Sequence, residues 1–146
     1  MEKQLGAVPP PASAAGKAAA GLFGVVAEFQ SCLAAGAPWG AAAYGGANGG
    51  VIPVSLRRAS GVAAVIYLAL AVVSGTNVAS PVVRRRVLYA ATPVMVVGAV
   101  ANVASRSLIE RMLWTPVTVA LAILLWRAAR HPSLASDAAG SDDLAS

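Results

Sequence analysis

Charge is what this sequence has least of. Of its 146 residues only 12% are Asp, Glu, Lys or Arg, against 58% that are hydrophobic. A soluble domain carries about 25% charged residues to keep its surface hydrated. Half that share leaves too little polar material to cover a globule, so a bilayer is the expected solvent. Cysteine is nearly absent as well, and the single Cys32 excludes an internal disulfide. The one histidine, His131, stands in a polar tail, so no His/Cys set with metal-ligand spacing can be drawn. The apolar stretches hold neither a Ser/His/Asp set nor paired catalytic carboxylates, so neither enzyme activity nor a cofactor is expected. The formal charge of +5 reflects 11 Lys+Arg against 6 Asp+Glu. At so low a charge density, that excess points to topology control beside anionic lipid and away from nucleic-acid binding.

Long apolar runs separated by arginines fill the rest, and the mean hydropathy is +0.69. A hydrocarbon core of about 30 Å needs roughly 20 apolar residues as helix. Four stretches meet or approach that length, at about 18–37, 60–79, 87–105 and 107–129. The expected fold is therefore all-α, an integral membrane four-helix bundle over residues 18–130. Residues 1–17, with Pro9, Pro10 and Pro11 in a row, and the acidic tail 131–146 read as disordered ends. Ser107 followed by Glu110 has capping-box spacing and places the start of the fourth helix. Pro93 and Pro116 fall inside the third and fourth stretches, where membrane helices tolerate them. Ala35-Gly36-Ala37 has the form of a signal-peptide cleavage site. The long lead of mixed charge, the interrupting Glu28 and the rigid Pro38 argue instead for a retained first span.

Orientation follows from counting Lys and Arg by side. With four spans, Lys3, Lys17, Arg84, Arg85, Arg86, Arg127 and Arg130 share one side, against Arg57, Arg58, Arg106 and Arg111 on the other. The richer side is the cytoplasmic one, which puts both termini in the cytoplasm. Trp39, Tyr44 and Trp114 then fall at the outer interface, and Tyr89 and Trp126 at the inner one. The Arg84-Arg85-Arg86 run is explained by this rule without a ligand.

Glu28 stands at the midpoint of its span, where an ionisable group is costly and marks a functional candidate. Gly21, Gly24, Glu28, Ser31 and Ala35 follow a helical 3-4 step, and so small a stripe is expected to face the bundle. Tyr67 and Thr118 lie at similar depth and could hydrogen-bond the carboxyl. Two roles stay open for Glu28, a proton- or cation-coupled carboxylate and a hydrogen-bonded packing contact. Gln30 points about 200° away on the same helix and cannot share a small site with it. Cys32 reads as a small core residue, and Asn77 and Asn102 as helix-end hydrogen-bonders. The glycine-rich segment from Gly36 to Arg58 is either a flexible outer connection or a loop that dips back into the membrane or lids the bundle.

The motif GAPWG at Gly36–Gly40, then Gly45-Gly46, Ile52-Pro53, Leu56-Arg57 and Ser60, resembles a group of small, uncharacterised bacterial integral membrane proteins. So does the later series Asn102, Ser105, Ser107, Glu110-Arg111, Trp114 and Pro116. The resemblance covers most of residues 29–116 and implies four spans and a multi-pass place in the bacterial inner (plasma) membrane. It directs attention to Trp39, Glu110, Arg111 and Trp114 at the outer interface. Phe29-Gln30 also matches the Phe-Gln pair that often precedes GAPWG in that group, whereas Glu28 is not part of its pattern. The function expected is structural or accessory, with the lipid bilayer and a second copy or another membrane protein as partners. The alternative is a small proton-coupled exporter that uses Glu28 and works as a dimer.

Overall fold

The structure is a computed structural model that describes residues 11–130. The acidic tail and the first ten residues of the lead lie outside the described residues. Among the described residues four α-helices make up the fold: α1 (Ala14–Ala35), α2 (Val54–Gly75), α3 (Pro81–Ala104) and α4 (Leu108–Arg130). Each is long and apolar enough to cross a membrane. At 1.5 Å per residue, the 22-residue α1 is about 33 Å long.

Helix boundaries differ from the hydropathy reading, for local chemical reasons. Ser13 caps α1 by accepting the Gly16 N–H at 3.1 Å, so helix begins inside the stretch read as lead. Gly36 ends α1 in a left-handed conformation (φ 102°), its N–H donating to the Leu33 carbonyl. α2 begins at Val54 after Pro53 and takes Arg57 and Arg58 into its first two turns. It stops at Gly75, before Thr76, Asn77 and the Pro81 that opens α3. Ser107 does cap α4, accepting the Glu110 N–H at 3.2 Å.

The helices form two antiparallel hairpins, α1 with α2 and α3 with α4, joined mainly along α1 and α4. Phe23, Leu121 and Leu125 are fully buried at the centre, with Ala19, Val26, Leu88, Met95 and Trp114 around them. Phe23 stacks on Tyr67 with ring centroids 6.0 Å apart. Small buried residues of α2, Ser60, Ala64 and Ser74, let α1 approach closely. Large apolar side chains point outward instead, including Val65 at 68% and Val97 at 68% exposure. In water such a surface would aggregate, whereas in lipid it is solvated.

Lys17, Arg84, Arg85, Arg86, Arg127 and Arg130 gather at one end of the bundle, and Arg57, Arg58, Arg106 and Arg111 at the other. At the first end Arg85 lies 5.8 Å from the Tyr89 ring and Arg130 5.4 Å from the Trp126 ring. Tyr89 and Trp126 meet edge to face at 5.8 Å, an interfacial pair of the kind membrane–water boundaries favour.

Candidate functional site beneath the interhelical loop

The segment between α1 and α2 lies over the end of the bundle, as a lid would. It folds through two short 3-10 turns, Gly40–Ala42 and Tyr44–Gly46, and is fastened across the end of the bundle. Leu33, Ala43 and Ile52 form a small second core beneath it. Two positions in this cap require glycine. A Cβ on Gly40 would sit 2.2 Å from the Asn48 carbonyl oxygen, inside the loop's own turn. Gly46 has φ +70°, and its Cβ would stand 2.7 Å from that of Ser107.

The fastenings come from α2, α4 and the residues just before α4. The Ser107 hydroxyl donates to the Ala41 carbonyl at 2.6 Å while accepting the Glu110 N–H. The Trp114 indole N–H donates to the Ala42 carbonyl at 2.8 Å. The Tyr44 hydroxyl shares a 2.9 Å hydrogen bond with the buried Ser60. Glu110 accepts the Gly45 N–H at 2.9 Å and also the Ser105 hydroxyl. Its carboxylate therefore does not complete a capping box. Ser105 takes that place by accepting the Ser107 N–H at 3.1 Å, which frees Glu110 for the loop. At the other edge, Arg57 donates from Nε to the Ala34 carbonyl at 3.0 Å. That contact sets a cation at the C-terminal end of α1, where the helix dipole favours positive charge.

Under this cap lies a cavity of about 200 Å³. Gln30, Tyr67, Asn102, Glu110, Trp114 and Thr118 contribute to its wall. Asn102 Nδ2 donates to Thr118 Oγ1 at 3.4 Å, joining α3 to α4, so Asn102 does more than finish its helix. The Gln30 Oε1 is buried and has no hydrogen-bond partner among the described residues.

The expected grouping of Glu28 with Tyr67 and Thr118 does not occur. Tyr67 and Thr118 line the inner cavity, while Glu28 is exposed on the opposite side of α1. It borders an outer groove between α1 and α2 with Gly24, Ala27, Ser31, Ala64, Val65 and Leu68. Its polar neighbour there is Cys32, whose thiol points to Oε1 at 3.8 Å. The small-residue stripe therefore faces away from the bundle. Bulk explains why: Phe23 and Val26, together with Gln30, form a stripe wide enough to fill the four-helix interior, and Leu33 continues it at the 3-4 step into the small core beneath the loop. The early start of α1 also moves its centre to Gly24–Val25, so Glu28 lies about 10 Å below the loop-side helix end.

The outer-interface residues also divide. Trp39 is 47% exposed and stacks on Phe29 at 6.0 Å, as an interfacial anchor would. Trp114 is instead buried, 4.5 Å from Phe29 between ring centroids, and serves as a loop fastener. Arg111 is exposed, and Glu110 is held by neutral donors. Asn77 accepts from Arg84 at 3.3 Å. Arg57 escaped the sequence reading as a positioning residue, since a lone arginine at a helix start gives no sign that it reaches back to another helix.

These features define a multi-pass, all-helical membrane protein with a built cap at one end. No family model, no curated protein sequence and no solved structure matches the chain.

Proposed function

We propose that this protein is a non-catalytic accessory component of a bacterial inner membrane, whose α1–α2 groove docks a transmembrane helix of another membrane protein. The observation that carries this reading is the exposure of Glu28 within a membrane-length helix. A carboxyl at that depth is costly against lipid, and intramembrane polar groups are met by polar groups of neighbouring helices. The groove offers the small Gly24 and Ser31 for close helix approach. An adjoining groove at the loop-side end is bordered by Arg57, Arg58 and Gly61. A docking helix thus meets one acid within the apolar region and two cations near the interface. The arginine-rich end faces the cytoplasm in this reading, with both termini.

The second reading, a proton-coupled exporter, draws on the same exposed carboxylate, because a dimer would bring two Glu28 side chains to a shared interface. A photo-crosslinker at Val65, activated in intact membranes, separates the two. An adduct with a different membrane protein supports docking, and an adduct of twice the chain mass supports the dimer. Exporter activity would further require proton release on adding a lipophilic cation, lost in Glu28→Gln. Crosslinking to lipid alone refutes both.

A further inference from the structure

Independently of the Glu28 groove, we propose that the cavity beneath the loop binds a primary alkylammonium group of ethanolamine size. Four of its lining residues are aromatic, Phe29, Tyr44, Tyr67 and Trp114, and they line the space from α1, the loop, α2 and α4. Aromatic faces attract organic cations through the ring quadrupole, most strongly where water is excluded. Among the described residues Glu110 is the only formally charged side chain in the wall, and the donors it accepts from, Gly45 N–H and Ser105 hydroxyl, are neutral. Its negative charge is thus available to a cation in the cavity. A metal ion is disfavoured, because hard divalent cations take six or more oxygen ligands and this wall offers a single carboxylate.

Size and hydrogen bonding narrow the class further. The volume of about 200 Å³ is below the roughly 300–1,000 Å³ of sites for drug-sized ligands and suits a headgroup-sized cation. The Gln30 Oε1 is a buried acceptor without a donor among the described residues. A primary ammonium carries N–H donors for it, whereas a quaternary ammonium has none. Glu110 and Gln30 therefore divide the work, the first attracting charge and the second selecting the N–H. The same group reaches the site as a free amine or as the headgroup of phosphatidylethanolamine.

The test is a titration of the full-length protein in nanodiscs, read by tryptophan fluorescence and repeated by ligand-observed NMR. In discs of phosphatidylglycerol alone, ethanolamine should bind saturably and more tightly than choline. Glu110→Gln, whose amide oxygen can still accept the Gly45 N–H, should weaken binding by about tenfold or more, with thermal unfolding unchanged. Gln30→Leu, which touches none of the loop fastenings, should abolish the preference for ethanolamine over choline. Discs containing phosphatidylethanolamine distinguish the sources, since a fall in apparent affinity marks the lipid headgroup and an unchanged one the free amine. The proposal is overturned if ethanolamine does not saturate in phosphatidylglycerol discs. It is equally overturned if Glu110→Gln and Gln30→Leu both bind like the parent protein.

Discussion

Replacing Gly46 with alanine tests whether the loop is a built cap, because its cost divides into two parts that neighbouring glycines separate. Gly46 holds φ +70°, a left-handed conformation that costs an L-residue about 1–2 kcal/mol. The added Cβ would also stand 2.7 Å from the Ser107 Cβ and 3.2 Å from the Ala41 carbonyl oxygen. Both neighbours belong to the Ser107–Ala41 hydrogen bond, so relief by movement breaks a fastening. Overpacking of this kind costs about 1–3 kcal/mol, giving a combined loss of about 2–5 kcal/mol. Gly45 has φ +75° but open space around its Cβ position, so Gly45→Ala should lose only the backbone part, about 1–2 kcal/mol. Gly49 has neither constraint, and Gly49→Ala should be neutral or stabilising by up to about 1 kcal/mol. The assay is SDS-driven unfolding of the purified variants in mixed micelles, followed by tryptophan fluorescence. Equal losses for Gly45→Ala and Gly46→Ala, or a neutral Gly46→Ala, would refute the docking of the loop on Ser107.

Other substitutions probe separate parts of the argument. Trp114→Phe removes the indole donor to the Ala42 carbonyl and should cost about 1–2 kcal/mol in the same assay, with faster proteolysis of the loop; an unchanged cleavage rate would contradict its fastening role. Arg57→Ala should destabilise by about 1–2 kcal/mol and Arg57→Lys by less, whereas equal stability of all three would remove the C-terminal cap of α1 from the account. Glu28→Leu should leave the isolated protein as stable as the parent or more so, while eliminating crosslinks through Val65; strong destabilisation would mean that the carboxyl is buried after all. Reporters active only outside the cytoplasm should be silent when fused after Ala129 and active after Gly50, and the reverse result would invert the orientation drawn from the Lys/Arg asymmetry.

The amino-acid sequence alone determined the medium and the helices. Scarce charge and four apolar stretches demand a bilayer, and a bilayer demands that each spanning backbone satisfy its own hydrogen bonds as helix. Local chemistry was equally legible: Ser107 capping α4 depends on neighbours within four residues. So was the relative geometry on one helix, since Glu28 and Gln30 must diverge at 100° per residue wherever the helix sits.

Tertiary structure decided which of those two faces turned inward. In water the apolar face of a helix is the buried one, but in a membrane both faces are apolar and periodicity cannot choose between lipid and protein. Side-chain volume chose instead. Phe23 and Val26 fill the interior, Leu33 packs beneath the loop, and Gln30 is carried in with them, leaving the slender stripe of Gly24, Glu28 and Ser31 outside. A lid over the bundle was one of the alternatives that the glycine-rich segment allowed, but how it is fastened was beyond reach from the sequence. It depends on contacts such as Ser107 to Ala41 and Trp114 to Ala42, between residues 66 and 72 positions apart, which no local pattern encodes.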